Sequence, residues 1–262
     1  MDKVTEKLLE LLNDLDPPIR KRKAPHLDVI IVILDLLKSG VPWRYSKPKD
    51  VSFHTIYKRF RLWEKLGVFK SVWEVVLKEY SDQKLLGNEK WFQHLFIDST
   101  MIKNVGGCDS LGKNPSDRGR LATKMSVICD ITETPISCSF YPANKSDITT
   151  VEESVENIAC RIKKDGRTVN ILAGDKAYIS KAISQRLRKR NIRMIAPPKS
   201  NSRRVPSIAD TIVLKNRCKI EHVFCRLDKF RRIHCRHEKK LSSYAALNFL
   251  AMALVISNKL HP

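Results

Sequence analysis

Two aspartates lie at the ends of predicted strands, where their carboxylates could bind a metal ion. Asp98 and Asp175 each follow a short apolar run that predicts a buried strand. Mg²⁺ takes carboxylate oxygens as ligands, and two such ions about 4 Å apart can activate the attacking oxygen and stabilise the leaving oxygen of a phosphodiester. The alternative is that each aspartate caps a helix or closes a turn, which is how we interpret Asp130, Asp147 and Asp165.

A metal site of this kind needs a third carboxylate, for which Glu221 is the candidate. Arg217 lies four residues before it, on the same face of a predicted helix. The alternative is that Glu221 is only a surface ion-pair partner of Arg217. Glu238 and Asp228 are weaker candidates for the third acid. No Ser–His–Asp or Cys–His arrangement is evident, so the chemistry would depend on positioning and charge.

The charge of the chain indicates an anionic partner. Its 262 residues include 49 Lys and Arg against 28 Asp and Glu, which gives a formal net charge of +21. Residues 181–240 contain 19 basic and 4 acidic side chains. A one-signed excess of this size points first to nucleic acid and second to an acidic membrane surface. The basic helix predicted at 181–190 lacks a broad apolar face, so the membrane is the weaker alternative.

Targeting and redox signals predict a cytoplasmic protein, associated with the nucleoid if its partner is DNA. The start of the chain lacks the apolar segment of a signal peptide. The apolar stretches 29–37 and 244–256 are shorter than the roughly 20 residues that span a bilayer. The seven cysteines contain no CxxC pair, which predicts free thiols. The Cys and His residues between 218 and 234 do not have a usual zinc spacing.

The first 85 residues predict a module of helices. In its third helix, which follows the N-cap candidate Ser52, one stripe is apolar. That stripe consists of Phe53, Ile56, Tyr57, Phe60 and Trp63. The opposite face is basic, which is typical of a helix-turn-helix. A plain helical bundle with a basic surface is the alternative.

The hydrophobic pattern changes after residue 90. Segments 123–129 and 136–141 alternate and predict a β-hairpin, and segments 168–172 and 192–196 predict short buried strands. Helices are predicted at 151–164, 180–190, 218–229 and 244–259. Strands and helices mixed in this order predict an α/β domain. We place this domain at residues 86–262, after the helical module at residues 1–85.

Taken together, these segments resemble the DDE transposases of bacterial insertion sequences. In the helical module, the resemblance rests on Gly40, Pro42-Trp43-Arg44, Tyr57, Arg59-Phe60 and Gly67-Val68. In the rest of the chain it rests on Asp98-Ser99-Thr100, Thr123-Lys124, Asn144-Lys145-Ser146-Asp147, Gly174-Asp175-Lys176-Ala177-Tyr178 and Ile220-Glu221-His222-Val223-Phe224. The resemblance covers nearly the whole chain. It implies a ribonuclease-H-like mixed sheet flanked by helices, preceded by an all-helical, helix-turn-helix-like DNA-binding module.

The resemblance also implies a function, which is metal-dependent cleavage at the ends of a mobile element and transfer of the 3′-OH to target DNA. Asp98, Asp175 and Glu221 would then be the catalytic triad and hold two Mg²⁺ ions, which Mn²⁺ can replace. The partner would be double-stranded DNA, both terminal inverted repeats and target, bound by a homodimer or a higher oligomer. Two alternatives remain: a ribonuclease-H-like nuclease without strand transfer, and a domesticated DNA-binding protein without catalysis.

Eight basic residues are candidates for DNA contacts under this resemblance. Lys58, Arg59 and Arg61, on the third predicted helix, are candidates for recognising the terminal repeat. The candidates for phosphates close to the cut are Lys124, Arg217, Lys229, Arg231 and Arg232. Contacts to phosphates set the affinity for DNA and its salt dependence, and contacts to base edges set sequence preference.

Overall fold

The computed structural model describes residues 2–16, 24–46, 51–85, 93–159, 170–178, 180–198 and 205–260. Its helices are α1 (Lys3–Leu15), α2 (His26–Ser39), α3 (Phe53–Lys65), α4 (Val68–Leu85), α5 (Asp147–Glu156), α6 (Lys181–Arg188), α7 (Ile208–Lys215), α8 (Cys218–Leu227), α9 (Arg231–His234) and α10 (Leu241–Leu260). Its strands are β1 (His94–Lys103), β2 (Gly112–Lys113), β3 (Leu121–Asp130), β4 (Pro135–Pro142), β5 (Asn170–Ala173) and β6 (Ile192–Ile195). Asp165 lies outside the described residues.

The first of two compact units is helical and includes both ends of the chain, as Met1–Tyr80, Lys103–Asp109 and Arg226–Pro262. Helix α10 packs against α1, α3 and α9. It is apolar nearly all round, as expected of a helix enclosed on all sides. By length and composition α10 is the one helix of the described residues that could cross a membrane, but 72% of its apolar window is buried inside the structure. This burial is that of a core helix.

The predicted α/β domain includes residues 226–262, which the structure groups with α1–α4 instead. The predicted helical module ends within a few residues of the first unit's break at Tyr80. The division of the chain into functional domains at residue 85 stays a prediction, because compactness does not report which segment carries which activity.

One face of α3 differs from its prediction. Tyr57, placed on the apolar stripe, is 40% exposed. Arg59, placed on the basic outer face, is buried. Its guanidinium donates to the Ala24 carbonyl at 2.7 Å and lies 5.0 Å from the centroid of the Trp63 ring. The guanidinium can be buried here because a carbonyl and an aromatic ring replace the interactions that it would make with water.

The second unit, Ser81–Ile102 with Ser110–Cys225, is built on a mixed sheet. The strand order is β2-β3-β1-β5-β6, and β4 pairs with the same β3. Strands β1, β5 and β6 run parallel, whereas β3 and β4 form the predicted antiparallel hairpin. Helix α5 packs against β3, β4 and α6, and α6 packs against β6. The predicted mixed sheet flanked by helices is confirmed.

The tip of the β3–β4 hairpin is organised by Asp130, which is fully buried. Its Oδ1 accepts hydrogen bonds from the Thr132 N–H at 2.9 Å, the Thr132 hydroxyl at 2.7 Å and the Thr134 N–H at 2.9 Å. Between them, Glu133 has a φ of 63°. The interpretation of Asp130 as a turn residue is therefore confirmed, and the tip is a defined structure that can present Glu133.

Candidate active site

Parallel pairing of β1 and β5 brings Asp98 and Asp175 to one level. Phe96 lies opposite Ala173 in this ladder, and each aspartate follows its strand partner by two residues. Strand β1 continues to Lys103, so Asp98 lies within the strand and not after its end, which corrects the prediction. Adjacent strands are about 4.8 Å apart. The two carboxylates therefore leave neighbouring backbones where the ladder between them ends.

The Asp98 carboxylate is held at both oxygens. The Ser99 N–H donates to Oδ1 at 2.8 Å, and the Arg217 guanidinium donates to Oδ2 at 3.2 Å. Burial raises the pKa of Asp98, and the charges of Asp175 and Asp147 add to that effect against the opposing Ser99 N–H and Arg217. Burial and the neighbouring carboxylates thus disfavour the ionised form of Asp98, and a bound divalent cation would favour it.

Asp175 is held by a tight turn after β5. The Ala177 N–H donates to Asp175 Oδ1 at 2.7 Å, and the Tyr178 N–H donates to the Asp175 carbonyl at 3.2 Å. The Tyr178 ring is 1% exposed and packs on Gly174. Burial, and then the charges of nearby carboxylates, raise the pKa of Tyr178. Tyr178 thus places a neutral phenol beside the two aspartates, a role that sequence analysis did not assign to it.

The third predicted acid, Glu221, follows Arg217 by one helical turn. Arg217 binds Asp98, while Glu221 is exposed on α8. Within the described residues, no group of three or more His, Cys, Asp or Glu side chains could hold a metal ion. The structure therefore brings Asp98 and Asp175 together and leaves Glu221 outside their group. The assignment of all three as a triad stays a prediction.

The hairpin tip anchors the helix that carries Glu221. His222 Nδ1 lies 2.9 Å from Glu133 Oε1, and Lys219 Nζ lies 3.8 Å from the same oxygen. These two residues flank Glu221 along the first turns of α8. The hairpin tip therefore contacts the part of α8 that carries Glu221.

Three polar side chains next to Asp98 form a connected group. The Lys124 ammonium donates to Asp147 Oδ1 at 2.7 Å and to the Lys145 carbonyl at 2.6 Å. The Ser99 hydroxyl donates to the same Asp147 oxygen at 2.6 Å. The Lys124 side chain is only 3% exposed. The ammonium is therefore enclosed and paired with Asp147 in this structure, and its role as a DNA contact stays a prediction.

Two further predicted DNA contacts are buried in the first unit. Arg59 is enclosed by the contacts described above, and Arg232 pairs with Glu238 at 2.7 Å. Each guanidinium would have to leave its partner to reach DNA, and both DNA-contact roles stay predictions. Arg61 is bonded to Glu64. The exposed members of the predicted set are Lys58, Lys229 and Arg231.

A mixed sheet that sets two aspartates side by side at its centre defines the class as a ribonuclease-H-like domain. The fold is similar to that of the piggyBac transposase in a cryo-EM structure of its synaptic complex with hairpin DNA, with a TM-score of 0.56 at 12% identity. The match covers 98% of this chain and 72% of that chain. At this identity the similarity establishes the fold.

The family follows from comparison of sequences. The model of the "Transposase DDE domain" family matches residues 92–256, and that of the "Putative transposase of IS4/5 family" matches residues 3–73. The chain belongs to the DDE transposase family. It is therefore a DNA transposase, an enzyme that cleaves and transfers DNA, and membership implies dependence on a divalent metal ion.

A curated relative supports the same family. It is the "Putative transposase for insertion sequence element IS402" of Burkholderia cepacia, which is 24% identical over 157 residues. The match covers 59% of this chain and 72% of the relative. The resemblance drawn from the sequence motifs is confirmed at the level of the family.

Proposed function

We propose that this transposase cuts DNA at the ends of a mobile element and joins the freed 3′-OH to target DNA, with Asp98, Asp175 and Glu221 as its catalytic carboxylates. The parallel register that sets Asp98 level with Asp175 carries this proposal. Two Mg²⁺ ions, replaceable by Mn²⁺, would be held by these carboxylates. When bound, they activate the attacking oxygen and stabilise the leaving oxygen.

The residues around the aspartates supply orientation and charge. Arg217 contacts Asp98 through Nη1, and a guanidinium carries five N–H donors, so it can bind a DNA phosphate oxygen as well. Glu221, one turn further along α8, is the third carboxylate that this arrangement can recruit. The buried Tyr178 ring packs on Gly174, directly before Asp175.

DNA would be bound by a basic surface and by more than one copy of the chain. Lys58, Lys229 and Arg231 are exposed and suit contacts to backbone phosphates. Joining two element ends requires both to be held together, so we propose a homodimer or a higher oligomer in the synaptic complex. We also propose that the protein acts in the cytoplasm, on the nucleoid.

The test is strand cleavage on duplexes that carry the DNA flanking the coding sequence, with Mg²⁺ or Mn²⁺. Asp98→Asn, Asp175→Asn and Glu221→Gln should each abolish cleavage while DNA binding persists in a mobility-shift assay. Asp228→Asn is the matched control, because it removes an exposed acid seven residues after Glu221 and should leave cleavage unchanged.

Four outcomes would overturn the proposal or one of its assignments. Cleavage retained by Asp98→Asn would refute the assignment of the metal site. Cleavage of the parent protein without joining of a pre-cut donor end would indicate a nuclease, and binding without metal-dependent nicking would indicate a DNA-binding protein without catalysis. Loss of cleavage in Asp228→Asn but not in Glu221→Gln would reassign the third acid.

A further inference from the structure

Lys124 is a lysine enclosed at the centre of the second unit, beside the candidate active site. A buried ammonium is costly unless it is paired and hydrogen-bonded. Lys124 meets that condition through the Asp147 carboxylate and the Lys145 carbonyl. Both partners lie at the start of α5 or just before it. Lys124 therefore ties the middle of the sheet to the first turn of α5.

The tie continues from α5 to β1. The Ser99 hydroxyl donates to the Asp147 oxygen that also accepts from Lys124. Ser99 then donates its backbone N–H to Asp98 Oδ1 at 2.8 Å. Hydrogen bonds to the side chain and to the backbone of Ser99 thus link a buried lysine to a proposed catalytic carboxylate.

Strand geometry explains why this chain bears on Asp98. Consecutive side chains of a strand point to opposite faces of the sheet, so Ser99 anchors β1 on the face away from Asp98. The contacts agree, because Ser99 bonds to α5 while Asp98 bonds to Arg217 before α8. Fixing Ser99 therefore fixes the backbone from which the Asp98 side chain leaves.

The same network holds a third carboxylate near the proposed metal site. The charge of Asp147 is close enough to contribute to the environment of Asp98. Its Oδ1 is already occupied by an ammonium and a hydroxyl. Asp147 is thus a neighbour of the aspartate pair whose Oδ1 is committed to Lys124 and Ser99.

We propose that Ser99, Asp147 and Lys124 are positioning residues, which hold the Asp98 carboxylate in the orientation that binds the divalent metal ion. The inference rests on the proposed function, which makes Asp98 a metal ligand. Removing a residue that hydrogen-bonds to a metal ligand and orients it typically weakens metal binding by about 10- to 100-fold. Asp147, which sequence analysis interpreted as a cap or turn residue, acquires a role in the site.

The experiment measures Mn²⁺ binding to the full chain without DNA, by isothermal titration calorimetry at a temperature below unfolding. Ser99→Ala removes the bond to Asp147 without changing charge. Lys124→Met combined with Asp147→Leu removes the ammonium donor and the carboxylate acceptor of the network and also leaves the net charge unaltered. Both should weaken Mn²⁺ binding by about 10-fold or more. Ser99→Thr keeps the hydroxyl and should bind Mn²⁺ as the parent does.

Ser137→Ala is the matched control. Ser137 lies on β4 of the same sheet and also bonds to α5, through the Ser154 carbonyl at 2.6 Å. Its loss should lower the melting temperature and leave the Mn²⁺ dissociation constant within about twofold, because it does not connect to Asp98. Should Ser99→Ala lower only the melting temperature, as Ser137→Ala does, the network is structural and the inference is wrong.

The result for Asp98→Asn distinguishes failure of the positioning role from failure of the proposed metal site. If it abolishes Mn²⁺ binding while Ser99→Ala binds like the parent, the metal site stands and the positioning role is overturned. If Asp98→Asn binds Mn²⁺ as well as the parent does, or if the parent does not bind, the proposed metal site is overturned and the positioning role with it.

Discussion

Replacing Gly174 by alanine should damage both the stability of the protein and its cleavage activity. Gly174 directly precedes Asp175, and its backbone is in close contact with the ring of Tyr178. A Cβ at this position would lie 2.7 Å from Tyr178 Cδ2 and 3.0 Å from Met194 Cε. The Tyr178 ring is 1% exposed, so it has no solvent-filled space into which it can move.

The magnitude follows from the cost of overpacking. Forcing an extra methyl into a filled core costs about 1–3 kcal/mol, and each kcal/mol lowers the melting temperature of a chain of this size by about 2–4 °C, so a fall of about 2–12 °C is expected. The backbone before Asp175 is the other element that can yield. A displacement of about 1 Å at a catalytic group can cost roughly 100-fold in rate.

The assays are thermal unfolding and strand cleavage, each compared with two controls. Gly119→Ala places a side chain at a φ of +72° with no neighbour within 4 Å. It should cost about 1–2 kcal/mol of stability and leave cleavage unchanged. Tyr178→Leu removes the ring that the added methyl group would meet, so Gly174→Ala should destabilise this background by less than it destabilises the parent.

Three results would refute this reasoning. One is an unchanged melting temperature for Gly174→Ala. The second is an equal cost of Gly174→Ala in the parent and in the Tyr178→Leu background, which would place the strain elsewhere. The third is full cleavage activity in Gly174→Ala despite lower stability, which would show that the turn does not position Asp175.

Two more predictions concern stability. Because the pKa of Asp98 is raised above 3.8, the folded state protonates more readily than the unfolded state, and the ionised carboxylate costs stability above the raised pKa. In metal-free buffer Asp98→Asn should therefore melt at a higher temperature than the parent at neutral pH, and this gain should vanish below pH 3.8; a lower melting temperature at neutral pH would contradict it. Arg236 is fully buried and donates to the carbonyls of Asp109 at 2.8 Å and Lys239 at 3.0 Å. Arg236→Met should lower the free energy of unfolding in urea by about 3–6 kcal/mol, since each of these two hydrogen bonds from a charged group contributes about 1.5–3 kcal/mol, and a loss under about 1 kcal/mol would show that water replaces the side chain.

The sequence was informative wherever a property is local. Apolar runs before Asp98 and Asp175 predicted buried strands, and alternation predicted the β3–β4 hairpin, because strand pattern is set by residues within a few positions. The motifs around these residues also identified the family. What the motifs imply for Glu221 stays a prediction, since the carboxylates of the described residues form no group of three that could hold a metal ion.

The sequence did not predict which charged residues are buried. Lys124 and Arg59 were both predicted to face DNA, and both are buried. A cation can be buried only where distant segments bring carbonyls, carboxylates or rings to meet it, as Asp147 does for Lys124 across 23 positions of sequence. Local periodicity contains no information about such partners.

By itself, then, the sequence determined the type of chemistry, because carboxylates after apolar runs and a net charge of +21 depend only on residue identity and order. The tertiary structure alone decided which carboxylates meet. The parallel register of β1 and β5 sets Asp98 beside Asp175, and the enclosed Lys124 pairs with Asp147. The physical reason is that register and burial arise from pairing between segments far apart in the chain, and a side chain's charge acts according to what surrounds it.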